Sequence, residues 1–360
     1  MKKGVPRTVL IVKFEALGDA LRTNSLVRPL ADSGARVTFL TSPAALPLLR
    51  ATPRLAAALG LRLDDPTAVA AMKARLAGRF DLVLSLEEHP AAAAVAAAAC
   101  RGELLGVRDE GGRLGYTPSS ARYYDMSLLH RDADGGHAAA DAVKKANRDT
   151  YAGIWLKLLG LAPRERPVPA LRLTARDRAA ARRLAGRRLL RGRGPVLGLN
   201  PGAGARWPGK QLSVEKAARL LLALRAAFGG PLLLIGRKDD AEAERNALIA
   251  ETALRRDPSL PIVTHPRLPL RSFAGVVELC DALVTTDSLA AHVAAAVGVP
   301  VACLVGPTCA QELDLAPGSS TLTPPTGCSC FYAANCSRPV PCLDDVPDAA
   351  VVAAVRRCLR

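Results

Sequence analysis

Short aliphatic runs that lead into glycine or acidic residues are the feature of this sequence that most restricts its fold. Thr8–Lys13 leads towards Gly18, and Val196–Asn200 leads towards Gly202. Comparable runs occur at 80–84, 232–235, 282–285 and 301–305. Segments of helical character separate these runs, and strands that alternate with helices form βαβ units with a parallel sheet. We therefore expect an α/β protein whose ligands bind beyond the carboxyl ends of the strands.

The segments between the runs have bounds that can be tested. Helices are predicted at 43–50, 151–161, 175–190, 213–228, 289–297 and 347–358. Residues 101–150 are rich in Gly, Arg and Asp, and we interpret them as a long loop region with short helices. A loop of that length is usually functional.

A proline-rich stretch divides the chain. Three prolines lie within the seven residues from Pro163 to Pro169, which is typical of a stiff linker. The 360 residues suit two domains. We predict a first domain at 1–165, a second at 166–346 that includes a cysteine-rich segment at 328–342, and a C-terminal helix at 347–360. Two Rossmann-like domains with parallel sheets would enclose a central cleft between them.

The charge of the chain favours anionic partners. There are 49 Lys and Arg against 33 Asp and Glu, a net charge of +16. An arginine-rich compositional bias is an equally good explanation. No basic run alternates with aromatic residues, so we predict no nucleic-acid partner. The apolar run Val9–Val12 is too short for a signal peptide, and we predict a cytoplasmic protein, with peripheral contact to the inner membrane left open.

Asp19 is the first candidate catalytic residue. It follows the first strand directly after Gly18, close to a predicted helix start. A carboxylate there can act as a general base on an acceptor hydroxyl. The alternative is that Asp19 is an N-cap, the most common role of aspartate at such a position.

The second domain carries candidate phosphate ligands. Gly202 begins a glycine-rich loop, and backbone N–H groups of such loops bind phosphates. Lys210 can neutralise a diphosphate leaving group. The segment from Gly204 to Lys210 resembles a P-loop, but Gln211 stands where Ser or Thr must bind magnesium, so we reject that interpretation.

Two further turns follow strands of the second domain. Glu242 lies in a charged segment where a carboxylate can accept hydrogen bonds from a ribose diol, or can form part of a solvated first helical turn. Asp287 and Ser288 precede a helix, and His292 lies one turn beyond Ser288 on the same face. These three side chains can contact a phosphate or a sugar, although a single histidine on an apolar helix is more often structural.

Four of the nine cysteines lie within fifteen residues, at Cys328, Cys330, Cys336 and Cys342. Four thiolates can hold a tetrahedral zinc ion or an iron centre. Their spacing differs from the paired C-x2-C of common zinc knuckles, so disulfides and structural thiols stay open as alternatives.

Taken in order, these motifs resemble glycosyltransferase family 9, the heptosyltransferases of the lipopolysaccharide core. The resemblance rests on Gly18-Asp19-Ala20-Leu21, on Asn200-Pro201-Gly202-Ala203 with Lys210, on the segment from Asp287 to His292, and on Gly306-Pro307-Thr308. It implies the GT-B fold, with an acceptor-binding first domain and a nucleotide-sugar-binding second domain. It also implies an inverting reaction that needs no metal for catalysis.

By this resemblance, Asp19 is the base, Lys210 stabilises the diphosphate, and Glu242 holds the donor ribose, with Asp240 and Glu244 as alternatives. Asp287, Ser288 and His292 would contact the donor. The expected reaction moves heptose from ADP-heptose to an anionic glycolipid of the lipopolysaccharide-core type. Asn200 and Leu289 depart from the family pattern, where His and Gly are frequent. Another donor, a protein acceptor, and a non-catalytic sugar-nucleotide-binding protein remain as alternatives.

Overall fold

The fold places two parallel sheets of similar topology one after the other along the chain. The computed structural model describes residues 7–127, 129, 136–189, 194–202, 207–236, 239–332 and 338–360. The chain forms two units, one comprising the residues up to Leu171 together with Gln311–Asp314, the other Arg172–Ala310 with Leu315–Arg360.

The first unit contains a six-stranded sheet in the order β3-β2-β1-β4-β5-β6. Its first five strands are parallel, and the sixth pairs antiparallel with the fifth. The strands are β1 Thr8–Val12, β2 Arg36–Thr41, β3 Ala57–Gly60, β4 Phe80–Ser85, β5 Cys100–Asp109 and β6 Leu114–Tyr116. The helices are α1 Leu17–Thr23, α2 Val27–Asp32, α3 Leu46–Leu49, α4 Pro66–Leu76, α5 Pro90–Ala99, α6 Ala121–Tyr124, α7 Gly136–Ala146 and α8 Tyr151–Leu158.

The second unit contains a six-stranded parallel sheet in the order β12-β11-β10-β7-β8-β9. The strands are β7 Leu197–Asn200, β8 Leu232–Leu234, β9 Ile262–Val263, β10 Ala282–Thr286, β11 Val301–Leu304 and β12 Ser320–Leu322. The helices are α9 Ala175–Leu189, α10 Val214–Phe228, α11 Asp240–Arg256, α12 Leu270–Val277, α13 Leu289–Val297 and α14 Asp348–Cys358. Short 3₁₀ turns lie at Asn24–Leu26, Pro118–Ser120, Pro208–Lys210, Ala310–Glu312 and Cys342–Asp345.

The aliphatic runs form strands because parallel strands covered by helices on both faces are buried on both sides. Every residue from Val9 to Val12 is fully buried, as is each of Ala302, Cys303 and Leu304 in β11. The two sheets have the same strand order when each is numbered within its own unit, and this order is that of the doubly wound Rossmann fold. The prediction of two Rossmann-like α/β sheets is thereby confirmed.

The interpretation of residues 101–150 as mainly loop is wrong for their first part. Cys100–Asp109 is the longest strand of the first sheet and pairs with β4. Its glycines suggested a loop, but they permit close strand approach: a Cβ at Gly102 would lie 2.2 Å from the Asp81 carbonyl oxygen, and one at Gly106 2.1 Å from that of Ser85. Along the described parts of the chain, no helix is both long and apolar enough to span a bilayer.

Candidate active site

Both sheets have a point at which the strand order reverses, and this is where open α/β sheets bind ligands. In the first unit the point lies between β1 and β4, and in the second it lies between β7 and β10. The segments that follow these four strands contain Asp19, Gly202, Lys210 and Asp287. Parallel pairing therefore brings the predicted residues of each unit to one edge of its sheet.

Asp19 is the third residue of α1 and belongs to its first turn. The N-cap is Ala16, whose carbonyl accepts from the Ala20 N–H at 2.9 Å, so the capping alternative for Asp19 is wrong. The Asp19 carboxylate lies 3.1 Å from a guanidinium nitrogen of Arg22, and its side chain remains 42% exposed. A substrate hydroxyl can therefore reach this carboxylate.

Glu87 supports the loop that leads to Asp19. It lies two residues past β4, is buried, and accepts hydrogen bonds from the backbone N–H groups of Phe14 at 2.8 Å and Glu15 at 3.0 Å. The same oxygen lies 3.2 Å from the ammonium group of Lys13. Carboxylate bonds to N–H donors are among the strong hydrogen bonds of proteins. Glu87 was absent from the predicted site, although its place after a buried strand was a usable signal.

A second acidic side chain lies close to Asp19. Glu88 is exposed as a residue. Desolvation of its carboxylate raises the pKa of Glu88, while the charges of Lys13 and Lys144 act in the opposite direction. The charges of Glu87 and Asp19 raise this pKa further. The negative charge of Asp19 therefore acts on its acidic neighbour Glu88.

In the second unit, Lys210 and Asp287 form the centre of the predicted donor site. The Lys210 ammonium lies 2.7 Å from a carboxylate oxygen of Asp287, and both side chains are largely buried. Thr308 donates to the same oxygen at 2.7 Å, and His292 lies 3.8 Å from the other. Burial alone would disfavour the charged carboxylate, but the charges of Lys210 and His292 outweigh it and hold the pKa of Asp287 well below its ordinary value.

Ser288 forms a hydrogen bond with a residue at the end of a strand and not with this ion pair. Its hydroxyl donates to the amide oxygen of Asn200 at 3.2 Å, and Thr285 donates to the same oxygen at 3.0 Å. The Asn200 amide nitrogen donates to the Ile235 carbonyl at 3.1 Å. The amide therefore connects the ends of β7, β8 and β10, which explains the presence of asparagine here.

Gly202 and Glu242 lie at neighbouring positions of the same edge. A Cβ at Gly202 would lie 2.8 Å from Cγ of Gln211, so glycine permits the close packing of this loop on the turn after Lys210. Glu242 is in the first turn of α11, and its carboxylate is 3.9 Å from the position of a Cβ on Gly236. Asp240 and Glu244 are exposed. Of the three candidates, Glu242 thus lies beside the end of β8.

The cysteine-rich segment packs on the loop that contains Thr308. The Tyr332 N–H donates to the Pro307 carbonyl at 2.8 Å, and its ring lies edge-on to Trp207, with centroids 6.5 Å apart. Trp207 in turn lies 5.3 Å from the ammonium group of Lys210. The segment therefore supports the Lys210–Asp287 pair from two sides.

The predicted four-cysteine metal site is described only in part. The Cys328 and Cys330 sulfur atoms are 3.4 Å apart, Cys330 and Cys342 are buried, and Cys336 lies outside the described residues. Within the described ranges, no three His, Cys, Asp or Glu side chains form a group that could hold a metal ion.

Comparisons with known proteins bear on the family and the fold of the chain. The family model described as glycosyltransferase family 9 (heptosyltransferase) matches residues 69–323. A search of curated proteins returned no match. Among solved structures, a family 9 glycosyltransferase from Veillonella parvula is 14% identical, with a TM-score of 0.71 and coverage of 98% of this chain and 97% of that chain.

Two E. coli enzymes are similar in fold. ADP-heptose lipopolysaccharide heptosyltransferase II is 19% identical, with a TM-score of 0.63 and 98% of each chain covered. Heptosyltransferase WaaC, solved with ADP, is 18% identical, with a TM-score of 0.55 and coverage of 91% of this chain and 94% of that chain. These likenesses show the GT-B fold of heptosyltransferases. Because the family model matches more than half of the length of this chain, the chain belongs to glycosyltransferase family 9, the heptosyltransferase family.

Proposed function

We propose that this protein is an inverting glycosyltransferase that moves heptose from ADP-heptose to a hydroxyl group of an acceptor, with Asp19 as the general base. The observation that carries the proposal is the largely buried cluster of Lys210, Asp287, Thr308 and His292. It lies at the point of the second sheet where the strand order reverses. A cation held in a fixed position at such a point suits a diphosphate leaving group.

The proposed chemistry needs a base and a stabilised leaving group. The Asp19 carboxylate takes the proton of the acceptor hydroxyl as its oxygen bonds to the anomeric carbon of the donor. The bond from that carbon to the phosphate oxygen breaks on the opposite face, which inverts the configuration. General-base catalysis of this kind contributes roughly 10²–10⁴-fold to the rate.

Lys210 is proposed to neutralise the charge that develops on the diphosphate. The N-terminus of α13, a helix of nine residues, adds partial positive charge beside Asp287. Asp287 holds Lys210 and His292 in place, and Ser288 holds Asp287 near the sheet through Asn200. Glu242 is proposed to accept hydrogen bonds from the ribose hydroxyls of the donor.

Membership of the heptosyltransferase family supports ADP-heptose as the donor. Relatives are consistent with this choice, since WaaC was solved with ADP and with ADP-2-deoxy-2-fluoro heptose. For the acceptor we propose an anionic glycolipid of the lipopolysaccharide-core type, reached from the cytoplasmic side of the membrane. The net charge of +16 supports this choice, because a basic protein concentrates at anionic surfaces.

A structural zinc or iron ion at the cysteine-rich segment is part of the proposal but has no role in the reaction steps above. The proximity of the Cys328 and Cys330 sulfur atoms supports it. Elemental analysis of the purified protein would test it, with the double variant Cys328→Ser/Cys330→Ser as the comparison. Equal metal content near zero in both proteins would reject the ion.

The proposed function is tested by a transfer assay with ADP-heptose and lipopolysaccharide-core acceptors, with product detected by mass spectrometry. We expect Asp19→Asn to bind ADP-heptose with wild-type affinity and to lose at least 100-fold in turnover, because it keeps the shape of the side chain without the basic oxygen. Asp64→Asn, at a position 87% exposed, is the matched control.

Three outcomes separate the alternatives. Turnover by Asp19→Asn at the wild-type rate would remove Asp19 from the role of base. Binding of ADP-heptose without transfer or hydrolysis by the wild-type protein would favour a non-catalytic sugar-nucleotide-binding protein. Thermal stabilisation by a UDP- or GDP-sugar, and none by ADP-heptose, would point to a different donor.

A further inference from the structure

The structure surrounds Asp19 with side chains that the reaction scheme does not yet use. Arg22 lies one helical turn after Asp19, and its guanidinium nitrogen is 3.1 Å from the carboxylate. The centre of the guanidinium lies 4.2 Å from the centre of the Tyr151 ring. The guanidinium therefore lies over an aromatic ring and pairs with the proposed base.

Tyr151 is connected back to Asp19 by its hydroxyl group. Thr23 donates to the main-chain carbonyl of Asp19 at 2.7 Å, so its oxygen accepts from the Tyr151 hydroxyl, which lies 2.9 Å away. Tyr151 begins α8, is 3% exposed, and packs its ring against Trp155 in the core. The path from the carboxylate through Arg22, Tyr151 and Thr23 to the backbone of Asp19 is thus a closed ring of contacts.

We propose that Arg22 is a positioning residue that acts through Asp19: it orients the carboxylate, keeps it ionised, and thereby sets the acidic limit of glycosyl transfer, while Tyr151 is the platform that holds Arg22. This inference rests on the proposed function, in which Asp19 is the base. It assigns a role to the arginine that follows the Gly-Asp pair in this chain.

The charges that face these groups come from several elements. Burial disfavours the charged guanidinium, but the carboxylate of Asp19 opposes it, and the pKa of Arg22 is raised well above its ordinary value. Tyr123, Tyr151 and Glu312 also face Arg22. The carboxylates of Asp19 and Glu312 thus add to the intrinsic basicity of arginine, and Arg22 stays charged throughout the working range of pH.

Within the closed ring of contacts, the cation that faces Asp19 is Arg22, and Glu88 is an acidic neighbour of Asp19. Arg22 favours its ionised form, whereas Glu88 across the edge of the sheet, once ionised, disfavours it. Tyr151 is buried and Tyr123 is half-buried, and desolvation raises the pKa of both hydroxyl groups, so both are neutral near pH 7. Removal of the Arg22 charge should therefore make Asp19 protonate at higher pH, and transfer should fail earlier on acidification.

An arginine suits this place better than a lysine. The planar guanidinium can stack on a ring and bond a carboxylate at its edge, whereas an ammonium group lacks the flat face. In the described part of the chain, the Arg22 Nε is buried without a hydrogen-bond partner. The Tyr151 ring and Asp19 therefore account for much of the orientation of this side chain.

The test is the pH profile of kcat and kcat/KM in Arg22→Gln, Arg22→Lys, Tyr151→Leu and Tyr151→Phe. For Arg22→Gln we expect the acidic limb of kcat to move up by about one pH unit, which lowers kcat about tenfold at pH values below the limb and by less on the plateau above it. The KM for ADP-heptose should change less than twofold. Arg22→Lys should keep the acidic limb but lose part of kcat, because it preserves the charge without the stacking.

The two tyrosine variants separate the platform from its hydroxyl group. Tyr151→Leu should reproduce much of the Arg22→Gln effect, and Tyr151→Phe, which retains the ring, should lose less than about threefold in kcat. Tyr116→Phe is the control for deletion of a buried hydroxyl, since Tyr116 donates to Asp125 at 2.8 Å in the same unit. Thermal unfolding of every variant checks that the fold is intact.

A double variant distinguishes this inference from the proposed function. If Arg22 acts through Asp19, Arg22→Gln should reduce the residual turnover of Asp19→Asn by less than twofold. Multiplicative losses, or an acidic limb unchanged in Arg22→Gln, would overturn the role of Arg22 and leave Asp19 as the base. Wild-type turnover by Asp19→Asn would instead refute the proposed base itself.

Discussion

Lys210 and Asp287 form an ion pair whose geometry suits the proposed diphosphate site. The lysine is held at 2.7 Å from the carboxylate and also lies over Trp207, so its position is restricted before any ligand arrives. In the proposed complex, a diphosphate would bring two or more negative charges and compete with Asp287 for the ammonium. Thr308 and His292 then remain as partners that stabilise the carboxylate.

We expect Lys210→Ala to weaken ADP binding about 10–100-fold, because a hydrogen bond to a charged group contributes about 1.5–3 kcal/mol. The loss should shrink at high salt, where the charge contribution is screened. Titration calorimetry with ADP measures the effect. Arg255→Ala removes a cation that is 64% exposed in the same unit and should leave the affinity unchanged. Equal affinity of Lys210→Ala and the wild type would exclude Lys210 from the diphosphate site.

A residue just past the end of β4 restrains the loop that follows the neighbouring strand β1. The Glu87 carboxylate accepts hydrogen bonds from two backbone N–H groups of the loop that follows β1, and it forms an ion pair with Lys13. Hydrogen bonds of this kind restrain the backbone a few residues before Asp19. The strand pairing of β1 with β4 is what brings Glu87 within reach.

Glu87→Gln is expected to lower the free energy of unfolding by about 1–2 kcal/mol, because the amide oxygen still accepts the N–H bonds but carries no charge. Turnover should fall several-fold while ADP affinity stays the same, since the change lies in the first unit. Urea unfolding and steady-state kinetics provide the two measurements. Glu165→Gln, at a position 72% exposed, is the control. A loss of ADP affinity equal to the loss of turnover would contradict this account.

The first unit is completed by a segment from much later in the chain. Gln311–Asp314 belongs to it by its contacts, and Glu312 lies 3.4 Å from Lys144 in α7, with both side chains buried. Asp314 is buried and accepts from the Ala152 N–H at 3.0 Å, in the first turn of α8. The helix that carries Tyr151 is therefore held at its N-terminus by a distant carboxylate.

This carboxylate should make stability depend on pH. Burial raises the pKa of Asp314 to about 6, although hydrogen bonds from Thr150 and Ala152 act in the opposite direction. A raised pKa favours the neutral acid in the folded state, so this stabilisation is present below the ordinary value of 3.8 and is lost as the pH rises through about 6. The contribution between these limits is about 1–3 kcal/mol.

The measurement compares urea unfolding of the wild type and Asp314→Asn at pH 4.5 and pH 7.5. Asparagine keeps an acceptor oxygen and cannot ionise, so the variant should gain stability relative to the wild type at the higher pH. If Asp314→Asn lost the same free energy of unfolding relative to the wild type at both pH values, Asp314 would not be the group that titrates.

The sequence was sufficient to predict the strands that are apolar along their whole length. Val9–Val12 and Val301–Leu304 are buried on both faces, and burial on both faces leaves a continuous aliphatic run that can be recognised locally. The strand Cys100–Asp109 escaped prediction because only three of its ten residues are buried and its two close-packed glycines resemble loop residues. Its register depends on contact with β4, which no local pattern records.

The sequence alone therefore determined the α/β class, the Rossmann-like repeats and the positions of Asp19, Lys210 and Asp287 after strands, since each of these depends on side chains close together in the chain. Tertiary structure decided which groups meet. Lys210 pairs with Asp287, Glu87 with the N–H groups of Phe14 and Glu15, and Tyr151 with Arg22. These partners lie far apart in sequence. The first two sets meet because parallel pairing aligns the carboxyl ends of strands that crossover helices keep distant along the chain. Tyr151 meets Arg22 because α8 packs beside the helix that follows β1.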